Sequence, residues 1–189
     1  PGFTTGWLRE GRSELPGDQL IGARRYRIYG NYVRSEDDET TVSLATIFFV
    51  DMTEMFNVRD EFLRTRPITA VILIDNYDEL MSNLPDSTIS KLDAQINEAV
   101  SGWVTGLHAL CRKMERNRYL LLFESKDLSR LQEGKFSILD AIRAVTNPAG
   151  VNATISLGIG KDGSSFEENY SFANLSIEMA LSRGGDQAV

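Results

Sequence analysis

The chain is poor in the residues that build redox and metal centres: its 189 residues include one cysteine, Cys111, and one histidine, His108. A lone cysteine forms no internal disulfide, which fits a reducing cytosol, and its thiol reads as a buried structural one. A lone histidine excludes a His-rich metal site. Long uninterrupted apolar runs are missing, so this stretch is not expected to cross a membrane. The opening "PGFTTGWL" has neither an initiator methionine nor the basic start of a signal peptide, and reads as an excised piece. Cations are in deficit as well. Lys plus Arg number 20 against 27 Asp plus Glu, a net charge of −7. Phosphate backbones are bound by clustered Lys and Arg, so no nucleic-acid partner is expected.

What is present describes a globular chain. Hydrophobic residues make up 42% and charged residues 25%, as in ordinary folded domains. The length suits one domain plus part of another. Internal repeats and low-complexity tracts are absent.

The apolar pattern changes character along the chain. In "RRYRIYGNYVR" (24–34) Tyr26, Ile28 and Tyr32 alternate, the signature of a half-buried strand. "SEDDET" (35–40) reads as a solvated turn, and "TVSLATIFFVDMTE" as a second strand ending at Asp51, which makes a hairpin of an antiparallel sheet. Residues 53–64, "TEMFNVRDEFLR", are helix-like. Thr53 stands as a cap, and Met55, Phe56, Val58, Phe62 and Leu63 form an apolar stripe that suggests pairing in a homodimer. Pro67 ends that helix, and a domain boundary is expected near Arg66.

Beyond it the chain reads as alternating strands and helices. "ITAVILIDNYDEL" opens like a central strand buried on both faces. A helix capped by Asp86 or Ser87 should keep Ile89, Leu92, Ile96, Val100, Trp103 and Leu107 on one side. "ALCRKM" and "YLLLFE" form a hairpin around the turn "ERNR". One helix over roughly 127–146, a strand in "NATISLGIG", a turn at "KDGSS" and a helix over 166–182 complete the series. Such an order is ferredoxin-like at its centre. Trp7, Trp103, Tyr26, Tyr29, Phe48 and Phe49 read as core or dimer contacts. In "SRGGDQAV" the glycines follow a helix instead of opening one, so they read as a C-cap and not as a phosphate loop.

Two stretches carry a resemblance. "ATISLGIG" with the following "YSFANLSIEMALSRGGDQAV", and "VILIDNYDELM", resemble the GGDEF domain over roughly residues 66–189. The ending "ALSRGGDQAV" resembles more narrowly the modified GGDEF domain of the GdpP (YybT) family. "VSLATIFFVDMTE" is similar to the last strand of a PAS domain and its terminal motif. The resemblance implies an α+β chain: the C-terminal part of a PAS-type antiparallel sheet (1–52), a connecting signalling helix (53–66) and a degenerate, nucleotidyl cyclase-like βαββαβ GGDEF domain (67–189). It also implies a cytoplasmic position within a protein anchored in the bacterial membrane. The partner would be that protein's own DHH/DHHA1 phosphodiesterase domain, whose two Mn²⁺ ions hydrolyse cyclic di-AMP. Haem is implied for an intact PAS domain, but residues 1–52 contain no histidine to serve as its axial ligand.

Cyclase chemistry needs carboxylates that hold Mg²⁺ and glycines that let a turn approach the triphosphate. Placed on the family pattern, the first metal aspartate is Leu73, the second carboxylate position is Asp75, and the five turn positions are Glu115, Arg116, Asn117, Arg118 and Tyr119. The metal-binding glutamate is thus Arg118, and no diguanylate cyclase activity is expected. Two readings stand for the hairpin bases Arg112, Lys113, Arg116 and Arg118. They either neutralise the phosphates of a bound nucleotide, ATP or GTP, beside Asn117, or they belong to a solvated turn and pair with Glu115 and Glu124. Asp75 and Asp78 are either cation ligands, Asp75 being the metal candidate, or helix caps. Three functions follow: a regulatory sensor segment, a weak Mg²⁺-dependent ATPase, or a structural dimerisation module. The first is the expectation carried forward.

Overall fold

The computed structural model describes residues 4–37 and 40–189. The chain divides into two compact units, Pro1–Phe62 and Leu63–Val189.

The first unit holds a short helix α1 (Gly6–Arg9) and strands β1 (Gln19–Ile21), β2 (Arg24–Asp37) and β3 (Thr40–Asp51), which form one antiparallel sheet in the order β1-β2-β3. β2 and β3 pair without a register break from Tyr26↔Asp51 to Asp37↔Thr40. The acidic stretch expected as a turn therefore continues the ladder up to Asp37; positions 38 and 39 lie outside the described residues. Trp7, Leu8 and Ile28 are the buried core, with Leu15, Tyr26 and Ile47 against it. Tyr32, expected on the buried side, is exposed, as are Phe48 and Phe49. Gly30 is where α1 presses on the sheet: a Cβ there would lie 2.8 Å from both Leu8 Cδ2 and the Thr46 carbonyl. Helix α2 (Thr53–Thr65) follows. Its first turn is anchored by Asp51, whose carboxylate accepts the Thr53 N–H at 3.0 Å, while the Thr53 hydroxyl accepts the Arg25 N–H. The side chain that meets the start of the helix is thus that of Asp51, and Thr53 serves the sheet. No residue of α2 is buried, and Met55, Val58, Phe62 and Leu63 are exposed.

The second unit contains β4 (Pro67–Ile74), α3 (Tyr77–Met81), α4 (Asp86–Thr105), β5 (Ala109–Glu115), β6 (Arg118–Glu124), α5 (Ser125–Glu133), α6 (Ile138–Arg143), β7 (Ile155–Gly160) and α7 (Phe166–Ser182). The sheet order β5-β6-β4-β7, antiparallel throughout, is the ferredoxin-like arrangement. β4 is buried on both faces, in keeping with its nearly continuous apolar run. One face sets Ile68, Ala70, Ile72, Leu121, Phe123 and Leu157 against Leu92, Ile96 and Val100 of α4 and Ile138 and Ile142 of α6. On the other face Val71 meets Ala173 and Ile177 of α7. The backbones come very close there: a Cβ on Gly158 or Gly160 would fall 2.1 Å from the Ala173 carbonyl or 1.7 Å from that of Asn169.

Four local expectations are corrected. Pro85, not Asp86 or Ser87, occupies the cap of α4, and its carbonyl accepts the Thr88 and Ile89 N–H groups. The single helix expected over 127–146 is two, because Lys135 and Phe136 both take left-handed conformations (φ +49° each). The hairpin turn is the two residues Arg116 and Asn117, so Glu115 and Arg118 belong to the strands. Cys111 is exposed, since β5 is an edge strand with nothing beyond it among the described residues.

Candidate functional site

The candidate residues gather where β4 leaves the sheet and the β5–β6 hairpin turns. β4 and β6 pair in a register that sets Leu73 directly opposite Arg118. One residue on, the Ile74 N–H donates to the Asn117 carbonyl at 2.8 Å, tying the turn to the strand end. The two positions that the resemblance sets against a cyclase's metal carboxylates are therefore neighbours here, and they hold an aliphatic side chain and a guanidinium.

Three of the four hairpin bases have partners of their own. Arg118 donates to Asn174 Oδ1 of α7 at 3.2 Å, and Asn174 in turn donates to the Tyr170 carbonyl. Arg116 forms an exposed ion pair with Asp78 at 3.6 Å and lies 5.8 Å from the centre of the Tyr77 ring. Lys113 donates to Asp93 at 2.8 Å and sits 5.5 Å above the Tyr119 ring. Tyr119 is buried and donates to Asn97, and burial pushes its phenol well above the ordinary range. Glu124, expected to pair with the hairpin bases, pairs with Lys126 instead. The solvated-turn reading thus has the wrong acid partners: Asp78 and Asp93 take the roles expected of Glu115 and Glu124.

The two aspartates part company. Asp78 lies in the first turn of α3, where a negative charge suits the helix N-terminus. The cap itself is Asn76, which makes no side-chain cap bond and instead holds the 152–154 loop: it donates to the Asn152 carbonyl and accepts the Thr154 N–H. Neither aspartate caps α3. Asp75 is half-buried and accepts the backbone N–H of Asp186 through Oδ2 at 2.8 Å, beside the buried Ser156 hydroxyl. Burial is the main cause that raises its carboxyl above the ordinary range; the nearby Asp186 carboxylate adds to this, and the Asp186 N–H opposes it.

These donors do not suit a divalent ion held in the cyclase manner. Leu73 offers no oxygen, Arg118 brings a positive charge, and one Asp75 oxygen is already engaged by a backbone amide. Among the described residues no group of three or more His, Cys, Asp or Glu side chains could hold a metal. What the site offers is two guanidinium groups and a turn backbone, a set suited to phosphate oxygens.

Residues 72–189 match the protein family described as "Cyclic-di-AMP phosphodiesterase GdpP-like, GGDEF domain". The chain belongs to this family. As a GdpP-like GGDEF domain with a preceding unit, it is 33% identical over 141 residues to cyclic-di-AMP phosphodiesterase GdpP of Bacillus subtilis (strain 168), covering 75% of this chain and 21% of that protein. It is 31% identical over 143 residues to cyclic-di-AMP phosphodiesterase PdeA of Listeria monocytogenes serotype 1/2a (strain 10403S), covering 76% and 22%. The chain therefore spans about a fifth of the length of these curated relatives. In fold it is similar to the GGDEF domain of DgcB from Caulobacter crescentus solved in complex with c-di-GMP: TM-score 0.56 at 11% identity, covering 72% of this chain and 85% of that one.

Sequence reasoning missed Asn174, Asp93, Asn97 and Asp186. The first three are polar residues on helices whose partners come from the hairpin, and nothing local marks them. Asp186 follows two glycines that already had a sufficient role as a cap.

Proposed function

We propose that this chain is a regulatory sensor segment of a membrane-anchored cyclic di-AMP phosphodiesterase, and that its GdpP-like GGDEF domain binds a nucleotide without cyclase activity. The observation that carries the reading is the pairing of Leu73 with Arg118. In-line attack on an α-phosphate needs a cation held between carboxylate oxygens, and neither side chain supplies one. Arg116, Arg118 and Asn117 would instead meet the phosphates of ATP or GTP. That a GGDEF domain of the same fold was solved with c-di-GMP supports nucleotide binding by a domain of this kind.

The remaining parts take supporting roles in this reading. Residues 1–52 are the C-terminal part of a PAS domain and 53–66 the connecting helix; on α2, Met55, Val58 and Phe62 stand at the 3-4 spacing of a two-helix seam and face solvent, which favours a homodimer. No described helix is long and apolar enough to cross a membrane; in this reading the anchor and the DHH/DHHA1 catalytic part are assigned to the remainder of a longer protein.

Calorimetry with ATP, with and without Mg²⁺, tests the proposal on this chain and on the Arg116→Ala/Arg118→Ala double variant. Binding that weakens on the order of tenfold or more in the variant is expected, as for the loss of charge-assisted hydrogen bonds. Unchanged binding would remove the arginines from the site, and cyclic di-GMP formed from GTP would overturn the reading altogether.

A further inference from the structure

After α7 the chain does not trail away. Gly184, Gly185 and Asp186 all take left-handed conformations (φ +102°, +74° and +56°), and the Gly185 N–H closes the helix end on the Ala180 carbonyl. The chain then runs parallel to β7, with Ala188 beside Leu157. Leu157 N–H donates to the Gln187 carbonyl, Val189 N–H to the Leu157 carbonyl, and Ile159 N–H to the Val189 carbonyl, each at 2.9 Å. The last residues thus form a short added strand that seals one edge of the sheet.

Asp186 fixes the corner between cap and strand. Its N–H donates to Asp75 Oδ2 at 2.8 Å; its carboxylate receives Arg143 Nε at 2.7 Å, and its carbonyl receives Arg143 Nη2 at 3.3 Å. Gly185 is required by the same contact, since a Cβ there would lie 2.8 Å from Asp75 Oδ2. Asp75 also belongs to the candidate site. It follows Leu73 and Ile74, which face Arg118 and Asn117, and its own N–H donates to the Thr154 carbonyl. Asp75 therefore stands in the chain one residue past the strand end that the hairpin turn holds, while its carboxylate holds the corner that docks the last strand. A half-buried carboxylate is tolerated at that spot while the Asp186 N–H faces it.

We propose that Asp75 is a latch that couples ligand occupancy at the β4–hairpin end to docking of residues 186–189. The coupling rests on the nucleotide reading above; the latch does not. A polyphosphate drawn to Arg116 and Arg118 sets negative charge near Asp75, disfavours its carboxylate and weakens its hold on the Asp186 N–H. That loosens the short strand that the last residues add along β7. Linkage then requires that a broken latch tighten nucleotide binding.

Hydrogen exchange read by mass spectrometry on the whole chain tests this, following the amides of Asp186, Gln187 and Val189 and the β7 amides of Leu157 and Ile159. In Asp75→Ala these amides should exchange faster, on the order of tenfold for one lost hydrogen bond to a charged group, while β4 and β6 amides keep their protection and confirm the fold. Asp75→Asn retains an oxygen acceptor but not the charge, and should exchange at a rate between those of the native chain and Asp75→Ala. ATP should speed the same amides in the native chain and add nothing in Asp75→Ala. Native-like exchange in Asp75→Ala would overturn the latch. ATP that binds by calorimetry yet leaves the native strand's exchange unchanged would overturn the coupling. Absence of ATP binding would overturn the nucleotide reading and the coupling with it, leaving the Asp75→Ala result to decide the latch alone.

Discussion

The two units solve the problem of covering a sheet differently. The second buries its sheet on both faces, with α4 and α6 on one side and α7 on the other, and adds a strand along β7. Among its described residues the first buries only Trp7, Leu8 and Ile28, and leaves Leu20, Ile21, Val33, Leu44, Phe48, Phe49 and Val50 exposed. Large apolar side chains left exposed in such number suit contact with something further. The second unit thus carries its own core, whereas the first reads as a part whose complement lies elsewhere, in keeping with the proposed end of a PAS domain.

Four measurements would break or sharpen that contrast. The largest effect is expected at the close contact of α7 with β7. Gly160→Val forces a side chain into the Asn169 carbonyl and should destabilise the second unit by more than about 3 kcal/mol in urea unfolding. A loss below about 1 kcal/mol would mean that the helix is free to shift away. Ile28→Ala comes next. It should cost the first unit about 2–4 kcal/mol and leave the second unit's transition where it was; a single shared transition that moves as a whole would show that the units are not independent.

The third concerns pH. Asp75 has its carboxyl raised, chiefly by burial, from the ordinary 3.8. The native state then keeps this proton to higher pH than the unfolded chain does. Stability of the second unit should therefore fall as pH rises from 3.8 through the raised native value, and level off above it. Asp75→Asn should remove that slope, which a denaturation series across the acid range would detect. The smallest effect belongs to Val58→Asp on the exposed face of α2: a stability change within about 0.5 kcal/mol, with loss of self-association in sedimentation velocity. Strong destabilisation there would mean that the face is already covered within the chain.

Much of the fold was legible because the second unit obeys its own periodicities. The nearly continuous apolar run of 68–74 reads as a strand buried on both faces, and α7 spans the 166–182 that its pattern indicates. The break between α5 and α6 was not legible, because Lys135 and Phe136 are not glycines and nothing local shows that they turn left-handed. Nor was the added strand at Gln187–Val189, where three residues owe their conformation to pairing with a distant β7. At the site, the family pattern placed Leu73 and Arg118, and the register sets them face to face. The partner of Asp75 was beyond reach for a simpler reason: it is a backbone amide, and every residue but proline has one.

The chain's one thiol, at Cys111 on the unpaired edge of β5, makes the protein addressable at a single point. A dye or spin label attached there needs no cysteine-removal mutagenesis. Desolvation raises the thiol above its ordinary value, so thiolate is scarce at neutral pH and coupling calls for mildly alkaline conditions. Such a reporter watches the open margin of the sheet: it would register a protein docking along β5 and stay quiet to events at the opposite, strand-sealed margin.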